Sequence, residues 1–319
     1  SSDVCSSDLI GPRLLAGIGQ VTNRYAEMLR AQGHETEFVE FGKPTKDGWY
    51  DRGFAFVLPI PENMAAVDEY AKLCKKMVYM TICETEPVNP VYGALAKYKT
   101  LWVASDFCKN VFEKQFPNIE WKVLHLYANE PKCLLPSKGP DPYIFYTIGN
   151  IMDPRKNIKG LIDAFLRCEF GDKARLVLKA ACINDVEWRV PGVTIINGLL
   201  SDADLEKIHA GCHCYINCSH SEGVGMGAVE AALRNKPVII TDFGGLKEYV
   251  NTPWVVKCTQ GPIGFDDFLF TKDLEWGYPS HGDLMRCMKE CFEKRVTSWD
   301  HEHTRQLMQR LSCSQDPWL

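Results

Sequence analysis

Three observations predict an α/β fold built as two doubly wound, parallel-sheet domains. From residue 10 onward, short apolar runs rich in β-branched and aromatic residues alternate with amphipathic stretches, the pattern of repeated βα units. The length of 319 residues is about twice the ~150 of an average domain. Between the two halves lies Pro131–Pro142, where Pro131, Pro136, Pro140 and Pro142 stand among few apolar residues, and this stretch reads as the linker.

In the first half, strands are predicted near Thr36–Phe41, Phe54–Leu58, Met77–Met80, Thr100–Val103 and Trp121–Leu126. Helices fit between them at about Gly19–Gln32, Glu62–Lys75 and Asp106–Phe116, where apolar residues recur at helical spacing. A doubly wound domain opens with a strand that feeds a Gly-rich turn. The turn Gly11–Gly19 is present, but only Leu9 and Ile10 precede it as apolar residues, so the opening strand is expected to be missing or replaced, with residues 1–10 filling its slot in part as the alternative. Residues 1–9, a near-repeat of Ser-Ser-Asp, have no apolar period and no basic n-region, and are expected to be a non-native or disordered tail.

The second series begins with strands near Tyr143–Ile148, Ala174–Lys179, Val193–Ile196, Cys214–Asn217, Pro237–Thr241 and Trp254–Lys257. Helices are predicted at Asn157–Cys168, Asp202–Ala210, Gly227–Asn235 and Leu246–Val250. Beyond Gly261 the chain reads as aromatic and irregular, then as helices near Ser280–Lys294 and Ser298–Leu311. The expected boundaries are therefore an N-terminal domain over 10–138, a C-terminal domain over 139–296, and a last helical segment over 297–319 that returns to the first domain.

Composition narrows the class of function. Thirty-six Lys and Arg against 41 Asp and Glu give a formal charge of −5, which argues against nucleic acid as the main partner. No stretch approaches the ~18 uninterrupted apolar residues of a membrane span, and peripheral membrane contact is left open. The 14 cysteines are scattered without a paired C-x-x-C set, so they read as reduced thiols of a cytoplasmic protein. His209, Cys212, His213, Cys214, Cys218 and His220 are dense in soft ligands, yet a strand there would send them to opposite faces; buried thiols are the expectation, and Cys287 and Cys291 at i, i+4 read as core.

The most informative segment is Ser221-Glu222-Gly223-Val224-Gly225-Met226-Gly227-Ala228-Val229-Glu230, placed after a strand and at the start of a helix. Its glycines let the backbone approach a ligand, and the first amides of the helix favour an anion such as a diphosphate. Were the segment helical, the two carboxylates would lie ~12 Å apart, the scale of a sugar–diphosphate–ribose unit. By spacing alone, a capping acid and a helix-surface acid around a tight turn fit equally well. A second segment, Tyr146 to Asn157, follows the first strand of the second domain and carries Gly149, Asn150, Asp153, Arg155 and Lys156. Adjacent Arg and Lys at such a place can neutralise a diphosphate, although Asp153 or Asn157 could also just cap the next helix.

Together these segments, with Thr241-Asp-Phe-Gly-Gly-Leu-Lys-Glu248, resemble the retaining glycosyltransferases of family 4, the group 1 glycosyltransferases. Tyr79–Thr85 and Trp102–Phe107 resemble the acceptor-domain motifs of that family, and Gly17-Ile-Gly-Gln with Ala31–Glu35 resembles its Gly-rich loop and first helix end. The resemblance spans roughly residues 15–292. It implies the GT-B fold, two Rossmann-like domains facing across a cleft, with the donor bound by the C-terminal one.

The resemblance also implies roles. Glu222 would touch the donor sugar as an orienting acid, and Glu230 would hold the ribose. Lys156, with Arg155 beside it, would clamp the leaving diphosphate. Gly149 and Asn150 would line the donor site with the backbone of Gly223, Val224, Gly225, Met226 and Gly227, while Gly17 and Ile18 would approach the phosphates from the first domain. The family has Gly-Arg where this chain has Gly149-Asn150. No Asp-x-Asp pair is read as a carboxylate-bridged metal site, so no cofactor and no metal are expected. The reading is a retaining, metal-independent hexosyltransferase using a GDP- or UDP-linked donor and a glycan, lipid-linked or small-molecule acceptor. A GT-B epimerase or phosphorylase and a catalytically silent sugar-nucleotide-binding module are the alternatives.

Overall fold

A computed structural model describes residues 6–11, 17–40, 49–131, 139, 141–181, 185–198, 200–267 and 269–313. The chain divides into two units. The first holds residues up to Asn129 together with Asp266–Leu274 and residues from Met308 on; the second holds Glu130–Phe265 and Glu275–Leu307. Most of the expected linker 131–142 and the turn residues 12–16 lie outside the described residues.

In the first unit the elements run β1 (Ser6–Gly11), α1 (Gly17–Ala31), β2 (Glu35–Glu40), β3 (Tyr50–Phe56), α2 (Pro61–Ala71), β4 (Cys74–Thr81), β5 (Thr100–Val103), α3 (Asp106–Gln115) and β6 (Glu120–Val123). The sheet order is β2-β1-β3-β4-β5-β6, and every pairing is parallel. The opening strand is therefore present, which corrects the expectation of a gap and of a tail reaching residue 9. Ser6–Gly11 pairs with Glu35–Glu40 on one side, and its Ser7–Ile10 with Arg52–Ala55 on the other. The physical reason is backbone satisfaction: a central slot between two strands offers unpaired N–H and C=O groups on both sides, and filling it outweighs the poor strand propensity of Ser and Asp.

Local signals explain the helices around this sheet. Ser105 starts α3 by accepting a hydrogen bond from the Cys108 amide at 3.2 Å. The helix buries Cys108, Val111 and Phe112, and Phe112 stacks on Trp121 of β6 with ring centroids 4.4 Å apart. A 3-10 stretch over Pro90–Tyr98, opened by Asn89, adds Tyr92 and Leu95 to the same core.

The second unit runs β7 (Tyr143–Gly149), α4 (Ile158–Arg167), β8 (Ala174–Ala180), β9 (Val193–Ile196), α5 (Asp202–Gly211), β10 (Cys214–Ile216), α6 (Met226–Leu233), β11 (Val238–Thr241), α7 (Leu246–Tyr249), β12 (Val255–Val256), β13 (Cys258–Pro262), β14 (Glu275–Pro279) and α8 (His281–Glu293). A last helix, α9 (Glu302–Cys313), starts among these residues, where Thr304 donates to the Tyr249 carbonyl. The main sheet is parallel in the order β12-β11-β10-β7-β8-β9. Its strands β10 and β11 are buried on both faces, as continuous apolar runs such as Val238–Thr241 require. Leu161, Ala164 and Phe165 of α4 share one core with Leu284, Cys287, Met288 and Cys291 of α8.

A further element departs from the sequence reading. The aromatic stretch beyond Gly261 forms, with Cys258–Pro262, the antiparallel hairpin β13–β14. Its register places Gly277 opposite Gln260, and a Cβ on Gly277 would come within 2.6 Å of the Phe243 Cβ. The aromatic side chains here pack on one another, Phe265 against Trp276 and Trp276 against Tyr278, so an irregular composition gives a defined hairpin.

Candidate active site

The strand order fixes where a ligand can bind in the second unit. The chain runs β7-β8-β9 to one side, then crosses to β10-β11-β12 on the other, so the order reverses between β7 and β10. The carboxyl ends of strands at such a reversal diverge into a crevice. A pocket lies there, lined by Thr147–Ile151, Lys156, Asn217–Ser219, Glu222 and Gly225–Gly227. The start of α6 forms one wall, with Met226 and Gly227 ahead of the first amide that bonds back to the Gly225 carbonyl, that of Ala228.

Glu222 is the centre of the site. It is 4% exposed, and both carboxylate oxygens are engaged. Oε1 accepts from Lys156 Nζ at 2.6 Å, from Ser219 Oγ at 2.6 Å and from Asn217 Nδ2 at 3.4 Å. Oε2 accepts from Arg155 Nη1 at 3.0 Å. Burial alone would push this carboxyl up, but Lys156 and Arg155, with hydrogen bonds from Lys156 and Ser219, hold it well below the usual carboxylate range. Glu222 is thus a fixed anion, suited to accepting hydrogen bonds and unsuited to donating a proton near neutrality.

Arg155 and Lys156 are adjacent but differently placed. Arg155 is buried, with Nη1 also donating to the Ser221 carbonyl at 2.8 Å and Nη2 to Asp153 Oδ2 at 3.2 Å. Asp153 in turn accepts from the Arg155 amide, which opens a 3-10 turn over Pro154–Lys156. Lys156 is less enclosed and reaches the pocket wall. The arginine therefore orients the acid, while the lysine is the cation a ligand could meet.

The expected glycines fall into three kinds. Gly225 caps α6 with φ 79°, a conformation that disfavours a side chain. Gly227 lies so close to Tyr215 that a Cβ would be 2.2 Å from its hydroxyl, which donates to the Ile148 carbonyl. Gly149 has open space where a Cβ would point. Gly225, Met226, Gly227, Gly149 and Asn150 all line the pocket, whereas Gly223 and Val224 are buried in the turn before it. Asn150 Oδ1 accepts from the Met152 amide at 3.2 Å in a local turn. Residues 222–225 are not helical, so the ~12 Å separation estimated for a continuous helix does not apply. Glu230 is half-buried on α6, three residues beyond Gly227 and on its face. Gly17 and Ile18 open α1 in the first unit.

Sequence reasoning missed the support of Glu222. A Cβ on Gly244, at φ 91°, would stand 2.3 Å from the Glu222 carbonyl oxygen, and the Gly245 amide donates to that oxygen at 2.8 Å. The signal was the Gly244-Gly245 pair itself, read as part of a motif but given no task. His220 stacks on Trp276 at 4.7 Å and pairs through Nδ1 with the Gly277 carbonyl, so β14 braces the loop from another side. Ser219 and Asn217 carried no signal, because only the folded loop turns them towards Glu222.

The remaining clusters have separate partners. His209 Nδ1 pairs with the Tyr146 hydroxyl at 2.7 Å, His213 Nδ1 accepts from the Ile144 amide, and Cys218 Sγ donates to the Lys156 and Asn157 carbonyls. Every cysteine among the described residues is a free thiol. The Asp202-Ala-Asp204 pair sits in the first turn of α5, where Asp204 accepts from Ser201 and Lys207. No helix among the described residues is long and apolar enough to cross a membrane.

Residues 142–262, which include the whole pocket, match the family described as Glycosyl transferases group 1. That stretch is therefore similar to the group 1 glycosyl transferases. A search of curated proteins finds no match to the chain. Among solved structures, a glycosyltransferase from Rickettsia africae is 12% identical, with 97% of this chain and 93% of that one covered at a TM-score of 0.61. The sucrose-phosphate synthase of Thermosynechococcus elongatus is 13% identical, with 96% and 94% covered and a TM-score of 0.64. The pneumococcal O-GlcNAc transferase GtfA, solved with UDP and GlcNAc, is 12% identical, with 92% and 57% covered and a TM-score of 0.53. Identities this low show likeness of fold. The two units thus have the folds of GT-B glycosyltransferases, as the sequence resemblance implied.

Proposed function

We propose that the chain is a retaining hexosyltransferase whose second unit binds a GDP- or UDP-linked sugar at the β7–β10 crevice. One observation carries this reading: Lys156, Glu222 and the amide end of α6 converge on one pocket at the switch point of the sheet. Breaking a sugar–diphosphate bond leaves positive charge on the sugar carbon and negative charge on the departing diphosphate. The first amides of α6 and the Lys156 ammonium are the groups that stabilise the leaving anion. Glu222, held ionised, accepts hydrogen bonds from the sugar hydroxyls, and Glu230 on α6 is the group for the ribose. The Lys156 ammonium and a helix terminus supply the charge that a metal would otherwise bring, and the reaction is proposed to need no metal. Retention follows from attack on the same face as the leaving group, with the acceptor a hydroxyl of a glycan, a lipid-linked sugar or a small molecule.

Nucleotide release from a panel of UDP- and GDP-sugars, followed with and without a chelator, tests this reading. Release from one donor, undiminished by chelator, is expected. Loss of release with chelator would overturn the metal-free proposal. Tight nucleotide binding without release from any donor would favour a silent sugar-nucleotide-binding module, the reading that Asn150 in place of an arginine supports.

A further inference from the structure

We propose that Asn157 is a positioning residue whose amide ties the Arg155–Lys156 turn to the Asn217–Glu222 loop and so sets the Lys156 ammonium at the donor pocket. This rests on the donor-site reading above. Asn157 closes the 3-10 turn over Pro154–Lys156 and also precedes the first residue of α4, with left-handed φ 52° and ψ 36°. Asparagine tolerates that conformation better than most side chains and is a favoured N-cap. Here, however, its side chain makes no capping hydrogen bond. Nδ2 instead donates to the Cys218 carbonyl at 3.2 Å, across to the loop that carries Glu222.

Three further features fit the tie. Gly160 leaves space for the diverted amide, since a Cβ there would stand 2.4 Å from Asn157 Oδ1. Cys218 returns the contact, its Sγ lying 3.6 Å from both the Lys156 and Asn157 carbonyl oxygens. Burial pushes that thiol up to about 12, so it keeps the proton it donates. The His220 amide donates to the Arg155 carbonyl at 2.8 Å, so the two loops meet on either side of Lys156. An acid and a cation separated by 66 residues are thereby held at 2.6 Å by backbone-directed bonds as well as by their own attraction.

Asn157→Gly and Asn157→Asp test this, since both residues accept a left-handed backbone and neither can donate to the Cys218 carbonyl. Acetic anhydride labelling of Lys156, scored by mass spectrometry against exposed Lys159 in the same sample, reads the lysine without any nucleotide. Labelling of Lys156 is expected to rise about threefold or more in both variants, and the affinities for UDP and GDP to fall about fivefold to tenfold, the scale of one lost hydrogen bond. Unchanged Lys156 labelling overturns the proposal, as does unchanged affinity where the wild type binds. A wild type that binds neither UDP nor GDP defeats the donor-site reading, and the labelling ratio still decides the tie.

Discussion

Lys156 Nζ stands 2.6 Å from Glu222 Oε1, so a cation and an acid read from two separate motifs form one ion pair in the wall of the pocket. Arg155 completes the arrangement on the other oxygen at 3.0 Å. Neither cation is equivalent to the other, because one is enclosed and the other faces the crevice.

Glu222→Gln removes the charge and keeps the shape. Transfer is expected to fall by about a hundredfold or more, in the range seen when a preorganised polar group is lost. The structure adds a cost of about 3 kcal/mol, since Arg155 and Lys156 lose a buried partner. Urea unfolding of both proteins at pH 7 measures it.

That cost depends on pH with a definite sign. The native Glu222 carboxyl is depressed relative to an unfolded glutamate near ~4.3, so its contribution is fully present above that pH and declines as the pH falls towards the native value. The stability gap between wild type and Glu222→Gln should therefore shrink between pH 5 and pH 3, about the interval over which an unfolded glutamate takes up its proton. A gap that is flat or widening would contradict the ion pair.

Arg155→Ala and Lys156→Ala should separate stability from binding. Arg155 is buried and bonded to Asp153, the Ser221 carbonyl and Glu222, so its loss is expected to cost about 3 kcal/mol in thermal unfolding. Lys156→Ala should cost about 1 kcal/mol and act mainly on donor KM, raising it about tenfold or more.

Two glycines give opposite outcomes for the same substitution. Gly244→Ala forces a side chain onto a left-handed residue and to 2.3 Å from the Glu222 carbonyl oxygen, and about 2 kcal/mol or more of stability should be lost with activity. Gly149→Ala meets no atom within 4 Å, so stability should change by about 0.5 kcal/mol or less. Donor KM should nevertheless rise, because the new methyl group enters the pocket lining. Thermal melts paired with donor titrations check both.

Acid should weaken the fold through its buried histidines. Burial lowers His209 to about 3, aided by Arg234 and Lys236, while an unfolded histidine titrates near ~6.5. Between those values the unfolded chain binds one more proton, and stability falls with decreasing pH by about 1.4 kcal/mol per unit for this residue. His220 and His301 are also lowered by burial and add to the slope. His209→Gln should remove one such proton from the linkage measured by urea unfolding between pH 6 and pH 4.

The sequence by itself determined the βα alternation, because apolar periodicity follows from which faces a strand or helix buries. Thr100–Val103 and Val193–Ile196 fall where the sequence predicts them. It also supplied the charges at the pocket, since Glu222, Arg155 and Lys156 are charged residue types wherever they lie, while the left-handed backbone of Gly225 is visible only in the fold. Tertiary structure decided the rest. Ser6–Gly11 is a strand because two neighbouring strands leave a slot for its backbone, which no propensity of Ser or Asp could foretell. Arg155 turned inward and Lys156 outward because Asp153, the Ser221 carbonyl and Glu222 surround one and leave the other at the pocket wall. Asn157 and Gly244 gained their tasks from loop closures that bring them to Cys218 and Glu222, residues distant in the chain, and spacing along a chain does not encode such closures.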